Sequence, residues 1–401
     1  MKYLNHDEEI RTLSTRKDLQ EYLEFRKEHD EWVMPFINEL AAVGIPNEPL
    51  FIPQYCSNIV VQKNGFKLEI GDIDVDNADN QECINDTGLF LVFPYQTGLT
   101  KYPTRRIAYP SICKRADDDC GVMFRFDVKP NKGILPINEK AERLTRDFQL
   151  YSDSCKILLR DDKVSAVLSK EYAIMPADKV VEKLEAQLKV DHPNFTYDKG
   201  MVSHEYLVAE YVLNDREMEE TFRLRLNDAG ADITELKAGV RFSTSDVGLS
   251  KVSATLFYDA DGVRTTLGTG IFVEHKGNVT PEDFGKKCES LGMLFKECEE
   301  RIEELGNMDI NHVAAVVKAV REVYTFLPKS VSETVESELE IRFPRGGTGI
   351  DVYLALNDIV QRHAQQAELS PTRYLNMSEQ VAKLMKLPFD KIDAGEDWKK
   401  I

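Results

Sequence analysis

In the stretch TKYPTRRIAYPSICKR, residues 100–115, the cations Lys101, Arg105, Arg106, Lys114 and Arg115 interleave with Tyr102 and Tyr109. Cations at this density track a phosphate backbone while aromatic rings stack on bases, the mix found in grooves that hold single-stranded nucleic acid. A second cationic candidate is ETFRLRL, where a period of two would send Phe222, Leu224 and Leu226 to one face of a strand and Arg223 and Arg225 to the other. Arg241, in AGVRFS, extends that row on a neighbouring strand. The expected object is a sheet with an apolar back and an arginine-lined front. The competing reading is a solvated strand face neutralised by the chain's surplus acids.

Other chemistry is thinner. GDIDVDNADNQEC places Asp72, Asp74 and Asp76 at the first, third and fifth positions of a calcium loop, but Asn77 stands where that loop needs glycine and Cys83 where it needs a bidentate glutamate. A strand with one acidic face fits the intervening Ile73 and Val75 better, so no metal is assigned. PRGGTGID, residues 344–351, opens a helical pattern with glycine-rich backbone whose N–H groups could cradle an anion beside Arg342 and Arg345. Gly346, Gly347 and Thr348 are the candidate cradle. The simpler alternative is a helix start at Thr348 or Gly349, with Asp351 satisfying the dipole. Cys113 and Cys120 flank Asp117-Asp118-Asp119 without a nearby histidine, and His204, His275, His312 and His363 each stand alone, so neither a zinc site nor a catalytic triad emerges.

These residues must be positioned by elements that the hydrophobic periodicity outlines. Thr15 to about Leu40 carries apolar residues at helical spacing, one or two amphipathic helices. Asn64-Gly65 divides two β-rich runs and marks a hairpin. CKILLRDDKVSAVLS reads as a second hairpin around a charged turn, flanked by helical patterns in INEKAERLTRDFQLY and ADKVVEKLEAQL. Strands are expected in VSHEYLVAEYVL, ETFRLRLND, LKAGVRFSTSD, VSATLFYD and VRTTLGTGIFVE, with Asp261-Gly262 as a further pivot. Three long helical patterns follow, the first starting at Thr280-Pro281-Glu282-Asp283. Strands in the middle with helices at both ends make an α+β protein. The expected division is an N-terminal helical segment (1–45), a β-rich α+β core (46–275) and a C-terminal helical region (276–401).

The chain has 401 residues, 42% of them hydrophobic, enough to fill ordinary cores. Its seven cysteines are scattered, odd in number and contain no Cys-x-x-Cys pair, which argues against a disulfide framework and for a reducing cytoplasm. The N-terminus is densely charged, with no apolar signal segment, and no later run is long enough to span a membrane. A net charge of −18 disfavours indiscriminate adhesion to nucleic acid. Residues 101–175, however, hold 15 Lys and Arg against 11 Asp and Glu, a net of +4, so the remainder carries −22. That asymmetry directs attention to the basic segment.

The order of the hairpin, LLR then an acidic turn then V-x-AVLS-x-x-Y, resembles the phage and plasmid-like proteins grouped as domain of unknown function 932. Upstream, RRIAYPSICKRADDDCGVM resembles the family's helix and turn before that hairpin, and downstream AGVRFSTSDVG resembles its V-x-x-S-x-S-x-V-G strand. DVYLALNDIVQRHA resembles its C-terminal Tyr-x-x-x-Asn helix, at Tyr353 and Asn357. The family's Cys-Asn-Gly turn is replaced here by Tyr258-Asp259-Ala260-Asp261-Gly262, so no role of that cysteine carries over. The resemblance implies origin on a mobile element and no particular activity. The expectation is a cytoplasmic accessory protein with a central, mainly antiparallel sheet and helices packed around it, without a cofactor, that binds single-stranded DNA in replication, transfer or recombination. The alternative is an acidic module that engages or inhibits a host defence factor. An oligomer is compatible with either, and an enzymatic role finds support only in Asp72, Asp74 and Asp76.

Overall fold

A computed structural model describes residues 3–4, 6–47, 59–63, 66–96, 98–126, 132–228, 232–367 and 371–398. It is 45% helical and 26% strand, an α+β protein. The centre is a six-stranded antiparallel sheet in the order Arg11–Leu13, Thr196–Val202, Leu207–Val212, Leu236–Thr244, Val252–Ala260, Val263–Val273. Alternation sets its two faces. Tyr211, Val240 and Leu256 lie in register and are buried in the larger core, as are Ala209, Phe242 and Ala254. The other face shows Glu210, Arg241 and Thr255 in register, with Ser243 and Ser253 beside them sharing a hydroxyl hydrogen bond of 2.8 Å. The apolar back carries the helices Ala177–Asp191, Pro281–Cys288, Leu291–Gly306, Val313–Val323 and Gly349–Gln366. Tyr353 fastens the last of these to the sheet, its buried hydroxyl donating to the carbonyl of Thr266 at 2.6 Å, while Asn357 donates to the Tyr353 carbonyl.

A smaller core lies between residues 37 and 167. It gathers the sheet Ala41–Gly44, Leu89–Tyr95, Gly98–Pro103, the sheet Asp30–Val33, Cys155–Arg160, Lys163–Ser169, and the helices Tyr109–Arg115 and Ile137–Phe148. The apolar cores therefore do not follow the boundaries expected at 45 and 275: Leu19 and Tyr22 of the opening helix pack with residues from 175 onward. Two hairpin turns, Asp161-Asp162 (φ 51° and 58°) and Asp261-Gly262 (φ 50° and 87°), are left-handed at both central positions, as the twist of a tight hairpin requires.

Several local expectations need correction. The helical pattern from Thr15 holds for Arg16–His29, capped by Thr15 and Asp18, but the chain then becomes a strand, Asp30–Val33, paired with Cys155–Arg160. ETFRLRL is not a strand; it lies in the helix Arg216–Asp228. Phe222 and Leu226 are four apart as well as two steps of two, so they bury one helical face equally well, and Leu224 is left 49% exposed. GDIDVDNADNQEC is a turn followed by the helix Ala78–Asp86, whose first amides donate to the Asn77 side chain at 2.9 and 3.2 Å. The pattern after Thr280 breaks into two helices, and Lys329–Arg342 and Pro371–Lys383 are two further helices beyond the three expected at this end of the chain. Strands 59–63 and 66–71 pair as the Asn64-Gly65 hairpin requires, though the turn itself, like Cys56, lies outside the described residues. Among the described residues the six cysteines are free thiols, and no helix is long and apolar enough to cross a membrane.

Candidate nucleic-acid interface

The cations that flank the charged turn of the hairpin Cys155–Ser169 are buried, while Asp162 at its tip is exposed. Arg160 is 3% exposed and Lys163 1%, burial that long cations accept only with partners. The Arg160 guanidinium donates to Asp30 at 3.0 Å and to the His204 carbonyl at 2.8 Å; Arg26 joins Asp30 and reaches Asp246 at 2.8 Å. Lys163 meets Glu82, Asp79 at 3.3 Å and Asp7 at 3.4 Å. Burial alone would raise the Asp30 carboxyl, yet Arg160 and Arg26 outweigh it and hold the group below the usual carboxylate range. The turn thus ties the hairpin to the opening helix, to the helix Ala78–Asp86 and to the loop after Thr244.

That network absorbs much of the expected cationic row. Arg105 is 2% exposed and pairs with Asp7 and, at 3.3 Å, Asp161; burial and then Arg160 push it down to about 9. Arg106 pairs with Asp86 at 2.9 Å and covers the Phe126 ring. Tyr109 is buried edge-on against Phe126, closed to any base, and Tyr102 is half-buried and stacked on Phe93. Lys101 sits on the strand Gly98–Pro103 opposite Val92. Arg223 grips Glu220 at 2.6 Å and Arg225 binds Glu299 and Glu303, both from a helix rather than the sheet. Only Arg241 lies on the sheet front, and its guanidinium is buried against Glu210 at 2.6 Å. These guanidiniums share no open face. Surplus carboxylates neutralise Arg105, Arg106, Arg223, Arg225 and Arg241 one by one.

The glycine-rich loop resolves against an anion as well. Gly347–Thr348 pairs with Asp309–Ile310, and Thr348 caps the helix Gly349–Gln366. The Asp351 carboxylate accepts from the Thr348 amide at 2.8 Å and hydroxyl at 3.0 Å, so a phosphate at this helix start would meet a negative charge. Arg342 and Arg345 are exposed, and Gly346 supplies a φ of 89° for the turn. Asp72, Asp74 and Asp76 follow one another along a turn in which Asp74 accepts the Asp76 amide at 3.0 Å. Among the described residues no group of three His, Cys, Asp or Glu side chains is placed to hold a metal ion.

What does converge is a groove of about 950 Å³ over the polar front of the large sheet. Ser253, Thr255 and Thr269 form its hydroxyl floor. One wall is the helix Tyr109–Arg115 with the hairpin exit Leu168–Tyr172; the other is the helix Pro371–Lys383, docked on the floor where Ser253 donates to Glu379 at 3.0 Å. Lys114, Arg115, Lys276 and Lys383 line it, and none of the four has a carboxylate at ion-pair distance among the described residues. Lys251, paired with Glu274 at 3.3 Å, lies 4.3 Å from the centre of the Phe272 ring, which is 39% exposed. His275 is buried there, stacked on Tyr172 with ring centres 4.9 Å apart and Nδ1 donating to the Ala173 carbonyl at 3.0 Å; burial lowers its pKa.

Three of the segments singled out in the sequence meet at this groove: Ser111, Lys114 and Arg115 from RRIAYPSICKR, Ser169 and Tyr172 from the hairpin, Val247 and Gly248 from STSDVG. Gly248 needs to be glycine, since its φ is 78° and a Cβ would press on Leu168 at 3.0 Å. Lys251, Phe272, Lys276 and Lys383 were not foreseen, and no period or motif marks them. Ile107, Pro110 and Leu249 form a ridge shared with a second cavity of about 1030 Å³, lined by six carboxylates, among them Asp7, Glu8, Glu82 and Glu205, against only Arg105 and Arg106. No family model matches the chain, and neither the curated proteins nor the solved structures include one that matches it.

Proposed function

We propose that the groove over the sheet front binds single-stranded nucleic acid, and that the protein serves a mobile element in replication, transfer or recombination. One observation carries this reading: in a chain of net charge −18, where the buried arginines are matched by carboxylates, four unmatched cations and an exposed aromatic ring share one hydroxyl-floored groove. Cations that displace counterions supply the affinity, and the exposed Phe272 ring stacks a base of any identity once Lys251, 4.3 Å from its centre, turns to a phosphate. The mobile-element context rests on the resemblance of the hairpin and its neighbouring motifs. Lys114 and Arg115, from the basic segment of the sequence, remain in the binding set, while Arg105, Arg106, Arg223, Arg225 and Arg241 leave it.

The test is fluorescence anisotropy of a labelled oligothymidylate at low and at moderate salt. Binding that weakens steeply with salt supports the proposal; absence of binding at low salt removes it. A second reading, in which the acidic surface engages a host protein, draws on the acidic cavity beside the ridge. It would be favoured by one stoichiometric partner that stays bound after nuclease treatment.

A further inference from the structure

The hydroxyl floor of the groove has a hydrogen-bond polarity that its composition hides. Ser253 donates to the Glu379 carboxylate at 3.0 Å, and Ser243, 2.8 Å away, must then give its own proton to Ser253, because a hydroxyl has one proton and a carboxylate only accepts. Thr255 directs its proton inward as well, to the Arg241 carbonyl at 3.4 Å. What Ser253 and Thr255 keep for a ligand is lone pairs. Glu379 adds more of them: it lines the groove, is half-buried, and has no cation at ion-pair distance among the described residues, Lys383 one turn along its helix included.

Phosphate oxygens also only accept, so they gain nothing from this floor and stay with Lys114, Arg115, Lys276 and Lys383. A base can fill it. Phe272 lies directly opposite Ser253 in the pair of strands Val252–Ala260 and Val263–Val273, on the same face, and strand side chains stand roughly perpendicular to their sheet. A base stacked on the Phe272 ring therefore turns one edge toward Ser253 and the Glu379 carboxylate that Ser253 holds. Stacking is indifferent to the base, but the edge is not. Thymine offers one N–H between two carbonyls, and cytosine and adenine one amino group beside a ring acceptor. Guanine offers N1–H and its 2-amino group side by side, two donors that one carboxylate accepts together in charge-assisted hydrogen bonds. Resting on the nucleic-acid reading, we infer that the groove selects guanine in a single strand, with Glu379 accepting from its Watson–Crick edge.

The experiment is competition against a labelled oligothymidylate, on the full chain at low salt, by unlabelled strands of about six nucleotides, within the usual span of a single-strand site. One competitor is all thymine, one carries a central guanine, and one a central hypoxanthine, which keeps the purine stack and N1–H but lacks the 2-amino group. The guanine strand should compete about tenfold better than the thymine strand, the effect of one charge-assisted hydrogen bond, with the hypoxanthine strand between them. In Glu379→Gln, which keeps the shape and an acceptor for Ser253, the guanine advantage should largely disappear, while the all-thymine strand gains from the loss of a negative charge. Equal competition by guanine and thymine in the wild type overturns the selectivity and leaves nucleic-acid binding intact. Guanine no better than hypoxanthine, which reports purine stacking alone, overturns it too, as does a guanine advantage undiminished in Glu379→Gln. If the labelled strand fails to bind at all, the binding proposal and the selectivity fall together.

Discussion

Lowering the pH from about 7 to about 5 should destabilise this protein through its buried imidazoles, and most clearly through that of His204. The residue is 2% exposed, and Nη1 of Arg105 lies 3.2 Å from its Nε2. A guanidinium can only donate, so Nε2 is an acceptor and the ring is neutral, with its proton on Nδ1. Burial, followed by the positive charges of Arg105 and Arg160, drives the pKa far below the usual histidine value of 6.5. With the folded pKa depressed, the unfolded chain binds a proton that the folded chain refuses. Stability is therefore fully present above about pH 6.5 and is lost as pH falls below it. One proton is worth about 1.4 kcal/mol per pH unit, so the window from about 6.5 to about 5 removes about 2 kcal/mol. The check is urea denaturation of the wild type and His204→Gln at both pH values, glutamine retaining an acceptor for Arg105. The variant should lose about 2 kcal/mol less than the wild type across the window. Equal losses in the two proteins would refute the assignment of a neutral, cation-locked His204.

Replacing Lys163 with methionine removes the buried cation that Glu82, Asp79 and Asp7 share, while Arg105 still holds Asp7 and the carboxylates keep some solvent; it should cost about 3 kcal/mol in denaturant unfolding, the lower end for a buried pair broken from one side. Thr348→Ala removes the cap of the helix Gly349–Gln366 and should cost about 1 kcal/mol. Inorganic phosphate should not raise the melting temperature through the glycine-rich loop, because Asp351 already occupies its amide; a gain in the wild type that Thr348→Ala or Arg345→Ala abolishes would contradict that assignment.

The strand Leu236–Thr244 was legible because it alternates apolar and polar residues over enough length to exclude a helix, and Leu207–Val212, Val252–Ala260 and Val263–Val273 because they are rich in β-branched and aromatic residues, with turn signals beside several of them. Phe222, Leu224 and Leu226 were not, since their spacing serves either period and the choice is made by packing against the sheet. Asp30–Val33 was hidden for another reason: its apolar residues extend a true helical pattern, and only the distant Cys155–Arg160 offers the partner that makes it a strand. Of the candidate site, Lys114 and Arg115 could be read from local composition. Lys276 and Lys383 could not, because a cation in a loop or at a helix end looks like any solvated lysine until the fold sets the two beside the same floor. The reverse error has the same origin. Arg105 and Arg241 look available in the sequence, and only the fold brings Asp7, Asp161 and Glu210 against them.

The salt dependence of oligothymidylate binding in Lys276→Ala/Lys383→Ala, set beside Arg223→Ala/Arg225→Ala, tests most directly where the nucleic acid lies. The lysine pair should weaken binding and flatten the plot of log K against log salt by about 1.4, since each phosphate contact on a single strand contributes about 0.7. The arginine pair, committed to Glu220, Glu299 and Glu303, should leave the slope as it is in the wild type. A slope untouched by the lysine changes, or reduced by the arginine changes, would contradict the account.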